Sequence, residues 1–243
     1  MYSPPREAPA FAFLRFFIIG GGVISLAAGM VNACTLLSSF GLASTHMTGI
    51  LTQLAVESVG AEAITPLRYV ATLVLMFIGG AAVSGAVLES SRLRFSHRYG
   101  NLLMLEAAIL AFATHFLLQE QFLGIALASL AAGLQNALAT QYSSAVLRTT
   151  HLTGVLTDLG VSLGRLIRGA PTAPWRVYLH LTLFVGYGLG SVFGALVFMR
   201  IGAWTMAVPA GIICLCAIVY WRRRSSLDRA SIKILEPSKK SKP

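Results

Sequence analysis

The sequence predicts an all-α integral membrane protein: about six transmembrane helices in two inverted three-span repeats, each repeat with a short re-entrant or broken motif helix. Three observations carry this. The chain is built of long apolar runs, a ten-residue phrase occurs in it twice, and its basic residues fall on alternate connections between the runs. The composition is 56% hydrophobic and 12% charged, against about 25% charged in ordinary soluble domains. Uncharged stretches of about twenty residues are long enough to cross a hydrocarbon layer some 30 Å thick. They are continuous rather than alternating, which disfavours a transmembrane barrel.

The repeated phrase is Thr45-His46-Met47-Thr48-Gly49-Ile50-Leu51-Thr52-Gln53-Leu54, which returns as Thr150-His151-Leu152-Thr153-Gly154-Val155-Leu156-Thr157-Asp158-Leu159. Seven positions are identical. Upstream, Ala28-Gly29-Met30-Val31-Asn32-Ala33 is echoed by Ala132-Gly133-Leu134-Gln135-Asn136-Ala137. The offset is 104 residues between Asn32 and Asn136 and 105 between His46 and His151. Matches of that quality, in order and at near-constant spacing, indicate an internal duplication.

The elements follow from this plan. Residues 1–10, with Pro4, Pro5 and Pro9, form an irregular lead, and residues 11–118 and 119–221 form the two membrane repeats. The first span runs from Phe11 to Leu37; it exceeds a signal-peptide core and is read as retained. The first motif helix starts near His46 and fades near Gly60. Pro66 suits the first turn of the second span, which ends near Leu88, because its missing N–H falls among donors that a helix start leaves unpaired. The third span covers Leu102 to Leu118 and ends in a tight Gln119-Glu120-Gln121 turn. The second repeat has a span from Phe122 to Thr140, a motif helix from Thr150 to Ile167, and spans from Trp175 to Met199 and Ala203 to Trp221. A basic tail, residues 222–243, is expected to be disordered and cytoplasmic.

Charge sets the orientation. With six full spans, cytoplasmic termini and motif helices that do not cross, seventeen Lys and Arg residues lie inside and only Arg68 and Arg200 outside, the bias expected of cytoplasmic loops. Each half then holds an odd number of spans, so the halves insert in opposite senses. The net charge of +10 is accounted for by these connections, and the bilayer, not nucleic acid, is the expected partner. Cys34, Cys214 and Cys216 lie within apolar runs and read as packing residues.

The chemistry concentrates at the motif starts. Thr45, Thr48, Thr150 and Thr153 are N-cap types, and Gly49 and Gly154 permit close backbone approach. Helix starts within a membrane present unpaired donors that a neighbour, water or bound solute must satisfy. Two of them from opposite sides, with His46 and His151, make a donor-rich midplane site suited to a polar or anionic solute; packing between the halves is the alternative. Asn32, Gln135 and Asn136 would line it, and Asp158 is the one chemical difference between the copies, standing where the first has Gln53. Asp158 could act in the site or pair with Arg165. Glu106 lies within a span and is a functional candidate, or pairs with Arg98. Gly186, Gly190 and Gly194 share one helix face and predict close helix packing. No nucleophile elbow, zinc-binding helix pair or phosphate loop is present, so no catalytic or metal-binding residue and no cofactor is expected.

The Ala132–Ala137 block and the stretch Leu147-Arg148-Thr149-Thr150-His151-Leu152-Thr153-Gly154-Val155-Leu156-Thr157-Asp158-Leu159 closely resemble the YoaK-like family of bacterial multi-pass membrane proteins of unknown function, over about residues 12–221. The family usually has Asp where this chain has Asn32, and Thr-Gly-Asn where it has Thr48-Gly49-Ile50. The resemblance implies a bacterial cytoplasmic membrane and supplies no substrate. The expected function is a permease or channel for a small polar or anionic solute, with a homo-oligomer as one assembly open to it; the alternative is a non-transporting scaffold that binds lipid or a partner.

Overall fold

The computed structural model describes residues 11–59, 67–88, 96–142 and 150–235. The irregular lead, Pro66, Arg92, Arg94, Arg148 and residues 236–243 lie outside them. The described residues form eight α-helices, α1 (Phe11–Leu37), α2 (Met47–Val59), α3 (Leu67–Val87), α4 (His97–Leu118), α5 (Leu123–Tyr142), α6 (Leu152–Ile167), α7 (Pro174–Ile201) and α8 (Ala207–Leu235), with a 3₁₀ turn at Gly202–Met206. Five stretches are long and apolar enough to cross a membrane: Ile18–Leu37, Leu67–Val87, His97–Leu118, Leu123–Thr140 and Pro174–Ser225. The last, of 52 residues, takes in α7, the 3₁₀ turn and α8 as far as Ser225. The chain is a multi-pass helical membrane protein.

Local chemistry sets the helix ends. Ser96 caps α4, its hydroxyl accepting from the Arg98 N–H. The α4–α5 turn closes as expected at Gln119–Gln121, with Gln119 N–H and Gln121 N–H both donating to the Phe116 carbonyl. Glu120 there takes a φ of 54°. Pro174 opens α7, where its missing N–H leaves no bond unmade. Gly202, at φ 57°, turns the chain out of α7. The tail expected to be disordered from residue 222 instead continues α8 to Leu235. Residues 222–235 hold no Gly or Pro, and a helix carries through them until Pro237 approaches.

Helix direction follows from which residues meet. Gly186 packs on the Gly22 backbone, Gly190 on Leu26 and Gly194 on Met30, so α1 and α7 run parallel. The Ser129 hydroxyl donates to the Leu73 carbonyl at 2.8 Å, and Gly133 lies against the Phe77 carbonyl, so α3 and α5 also run parallel. Helices α4 and α8 run antiparallel, with Tyr99 against Tyr220 and Met104 against Cys214. The six long helices alternate in direction along the chain, with α2 and α6 inserted after the first long helix of each half.

The same contacts occur twice. Ser25 donates to the Leu183 carbonyl at 2.8 Å as Ser129 does to Leu73. Gly29 meets the Tyr187 carbonyl as Gly133 meets Phe77, and Gly190 meets the Leu26 carbonyl as Gly80 meets Leu130. In each case a Cβ would be driven into backbone, so only glycine permits the spacing. The first helices match at an offset of 104 residues, while Leu73/Leu183, Phe77/Tyr187 and Gly80/Gly190 match at 110. The repeated contacts therefore extend through α3 and α7, where Thr72/Thr182, Leu73/Leu183, Gly80/Gly190 and Val87/Val197 are identical at that offset. Around these seams, Met30, Leu73, Leu110, Ile125, Leu134 and Leu183 are fully buried.

Candidate functional site

Each motif starts on an asparagine. In the first half, Asn32 Oδ1 accepts from the Thr45 hydroxyl at 2.8 Å and the Thr45 N–H at 3.3 Å. In the second, Asn136 Oδ1 accepts from the Thr150 N–H at 3.4 Å, and its Nδ2 donates to the Thr150 hydroxyl at 2.7 Å. Both clamps hold the threonine by its N–H and its hydroxyl, the hydroxyl donating in the first and accepting in the second, and each begins the motif well inside the helix end. Asn32 lies five residues before Leu37, or about 8 Å along the helix. Just beyond each clamp, the imidazole of His46 or His151 folds over Gly49 or Gly154, where a Cβ would meet the ring. Thr-His-x-Thr-Gly thus describes a built turn into a helix.

That turn differs from the expected threonine cap. His151 is the N-cap of α6 and makes no side-chain cap hydrogen bond. Thr48 and Thr153 fall inside their helices, exposed, and accept back-bonds from Thr52 and Thr157 through their carbonyls, at 2.9 Å each. The reason is positional: Thr45 and Thr150 are engaged by the asparagines, which leaves the following residue to open the helix. Asp158 does not pair with Arg165. Its Oδ2 lies 3.6 Å from His180 Nε2, which places a half-exposed carboxylate against a buried imidazole of α7. The first-half counterparts are Gln53, at an offset of 105, and Val70, at 110, so the asymmetry of the motif is matched by an asymmetry in the helix beneath it.

The proposed site residues do not all share one cavity. His46, Thr48, His151, Thr153 and Asp158 are exposed. An interior cavity of about 10 Å³, the space of one water, is lined by Ala27, Ala28, Val31, Thr45, Glu106, Leu110, Ala131, Ala132 and Gln135. It therefore takes Thr45 and Gln135 from the candidates, and adds Glu106. Asn136 and Thr150 form the second clamp and are not among its lining residues. Glu106 is buried at 2% exposure, and the Arg98 guanidinium donates to the Val87 carbonyl at 3.2 Å.

Gln135 also reaches a second, far larger space. A cleft of about 610 Å³ lies between α1, α4, α5 and α8, with Arg15 and Arg223 at one end and Gln135 among its walls. Phe16, Ile19, Ile24, Leu103, Leu138 and Val219 are among its apolar lining residues. Gln135 Nε2 donates to the Ile24 carbonyl at 3.4 Å, bridging α5 to α1 between the two spaces. The opposite end of the helices is closed by aromatics. Tyr69 stacks on Phe122 with centroids 4.1 Å apart, and Phe40 stands edge-on to both at 6.1 and 5.6 Å.

Two contributors escape a reading of the motif. Tyr187 places its hydroxyl 3.4 Å from the Thr45 hydroxyl, tying α7 to the first clamp. Its only signal is register, since it occupies the place of Phe77 in the other half. The arginine-rimmed cleft is assembled from four helices and has no local motif.

A family model described as "Protein of unknown function (DUF1275)" matches residues 21–219. The chain belongs to this family. That agrees with the resemblance to YoaK-like proteins, and the matched stretch takes in both motif copies, both clamps and Gln135. No curated protein and no solved structure matches the chain. The family's description carries no activity, so function is argued from the site.

Proposed function

We propose that the protein is a permease of a bacterial cytoplasmic membrane, passing a small polar or anionic solute between two inverted three-span repeats. The observation that carries this is the series cleft, Gln135, small cavity, Thr45, running along the interior from the Arg15–Arg223 end toward the aromatic end. A wide space at one end, a single amide crossing and a one-water cavity beyond it is the geometry of a pathway open to one side. Six long helices of alternating direction, paired across the halves by parallel contacts, fit two repeats inserted in opposite senses. Counting α7 and α8 as separate crossings gives six spans with both termini on the cytoplasmic face, as the charge bias requires. The cleft then faces the cytoplasm.

The motif helices fit re-entrant segments. Helix α2 has 13 residues and α6 has 16, about 20 and 24 Å, short of the 30 Å needed to cross. Thr45 is buried at the α2 start while Val59, at its end, is 89% exposed. A second reading, a lipid-binding protein that does not transport, is favoured by one feature, the largely apolar wall of the cleft.

Reconstitution in liposomes decides between them. A panel of small carboxylates, inorganic phosphate, sulfate and glycerol is tested for tracer uptake by the wild type and by Gln135→Leu. The permease reading expects uptake of at least one solute, reduced at least tenfold by Gln135→Leu with unchanged thermal stability. No uptake across the panel, with phospholipid retained through purification, supports the lipid-binding reading instead.

A further inference from the structure

We propose that Glu106 is a proton-binding carboxyl at the closed end of the pathway, and that the protons it carries are coupled to solute movement. The coupling rests on the permease reading; the proton site stands on its own geometry. Glu106 lies in the middle of α4, is 2% exposed, and has a buried Oε2 without a hydrogen-bond partner. A carboxylate kept for structure is hydrogen-bonded or paired when it is buried. An ionisable group left unpaired within a membrane span has a cost that function must justify.

The surroundings select a proton over a metal cation. The small cavity offers three polar side chains, Thr45, Glu106 and Gln135, among alanines, valine and leucine. A hard divalent cation takes about six oxygen ligands, and a space of about 10 Å³ admits one water at most. The titratable groups near Glu106 are Tyr99 on its own helix, with Tyr220 of α8 beside it, and Cys216 of α8. From α1 and α5 the cavity receives only Ala27, Ala28, Val31, Ala131, Ala132 and Gln135, so no cation faces the carboxyl from those helices. The Arg98 guanidinium, two turns away along α4, donates to the Val87 carbonyl at 3.2 Å. An unpaired carboxyl in such a place compensates its charge by taking up a proton. Water in the cavity delivers it: hydronium gives one proton to the carboxylate, leaving the acid and a water, and the reverse step releases it. Gln135 stands between this carboxyl and the cleft, so a change that moves Gln135 opens Glu106 to the arginine end.

The test has two readouts in reconstituted vesicles. Infrared titration of the wild type between pH 5 and 9 looks for a protonated-carboxyl C=O band. Trapped pyranine reports proton movement when members of the solute panel are added outside. The expected result is a C=O band that is lost in Glu106→Gln and shifted in Glu106→Asp. Solute-linked proton movement should fall at least tenfold in Glu106→Gln, survive in Glu106→Asp, and match the wild type in Glu120→Gln, a carboxylate of the exposed turn. A wild-type band or wild-type proton movement in folded Glu106→Gln overturns the proposal. If Glu106→Gln does not fold, absence of any C=O band from the wild type overturns it equally. If the wild type moves no tracer solute, the permease reading fails, and the infrared band alone decides the proton site.

Discussion

At Gly29 and Gly133 a single missing methyl sets the distance between helices. A Cβ at either position would occupy the space of a carbonyl oxygen, from Tyr187 in one case and Phe77 in the other. Backbone cannot turn aside as a side chain does, so α1 and α7, or α3 and α5, would have to part. Gly29→Leu and Gly133→Leu should each destabilise the protein by about 1–3 kcal/mol or more, as overpacking does, and should do so to a similar extent. Gly160, with nothing near its open Cβ position, is the control: Gly160→Leu should be neutral or slightly stabilising, since leucine is the better helix former. Thermal unfolding in detergent measures all three. A harmless Gly29→Leu would mean that the helices are not in close contact. The glycine spacing on α7 was legible in the sequence, since three glycines every fourth residue make a smooth face. Which carbonyls they meet was not, because that depends on register between helices far apart in the chain.

The motif shows what element-level reading gives and misses. Repetition of Thr-His-x-Thr-Gly located two short helices and their starts, because the phrase is contiguous. It suggested the wrong chemistry for the threonines, because their partners Asn32 and Asn136 come from the preceding helix and are recognised as partners only once the chain turns back. Similarly, Asp158 was visible as the odd residue of the second copy, but its partner His180 lies on α7, where the offset has changed from 105 to 110. This pair joins α6 to α7 where the first half sets Gln53 and Val70. A double-mutant cycle should read it: Asp158→Gln and His180→Val each destabilise, and the double mutant costs less than their sum. Because the carboxylate is 61% exposed, the coupling should stay below about 1 kcal/mol. Strict additivity would show that Asp158 and His180 do not interact.

At the scale of the molecule, the membrane class and the placing of the long helices were legible in the apolar runs, which need no partner to be recognised. The cleft and the small cavity were not, since each is built from several helices and neither carries a motif. Native cysteines provide a direct probe of that internal space. Cys216 lines the cleft and Cys34 is fully buried. With Cys214 replaced by alanine, a membrane-impermeant methanethiosulfonate should modify Cys216 from the arginine-rich face while leaving Cys34 untouched. Rapid modification of Cys34, or none of Cys216, would contradict a cleft open at that end and closed beyond Gln135.

On the proposed topology, one turn, built twice, faces opposite sides of the membrane. Helix α1 ends beside Phe40 at the aromatic end, whereas α5 ends beside the arginine-rimmed cleft. His46 and His151, both exposed, follow those two ends. The decisive measurement is therefore the sidedness of His46→Cys and His151→Cys, each in a cysteine-free background, labelled with an impermeant maleimide in vesicles of known orientation. The proposed topology requires His46→Cys to react only from the periplasmic face and His151→Cys only from the cytoplasmic face. Labelling of both from the same face would contradict it.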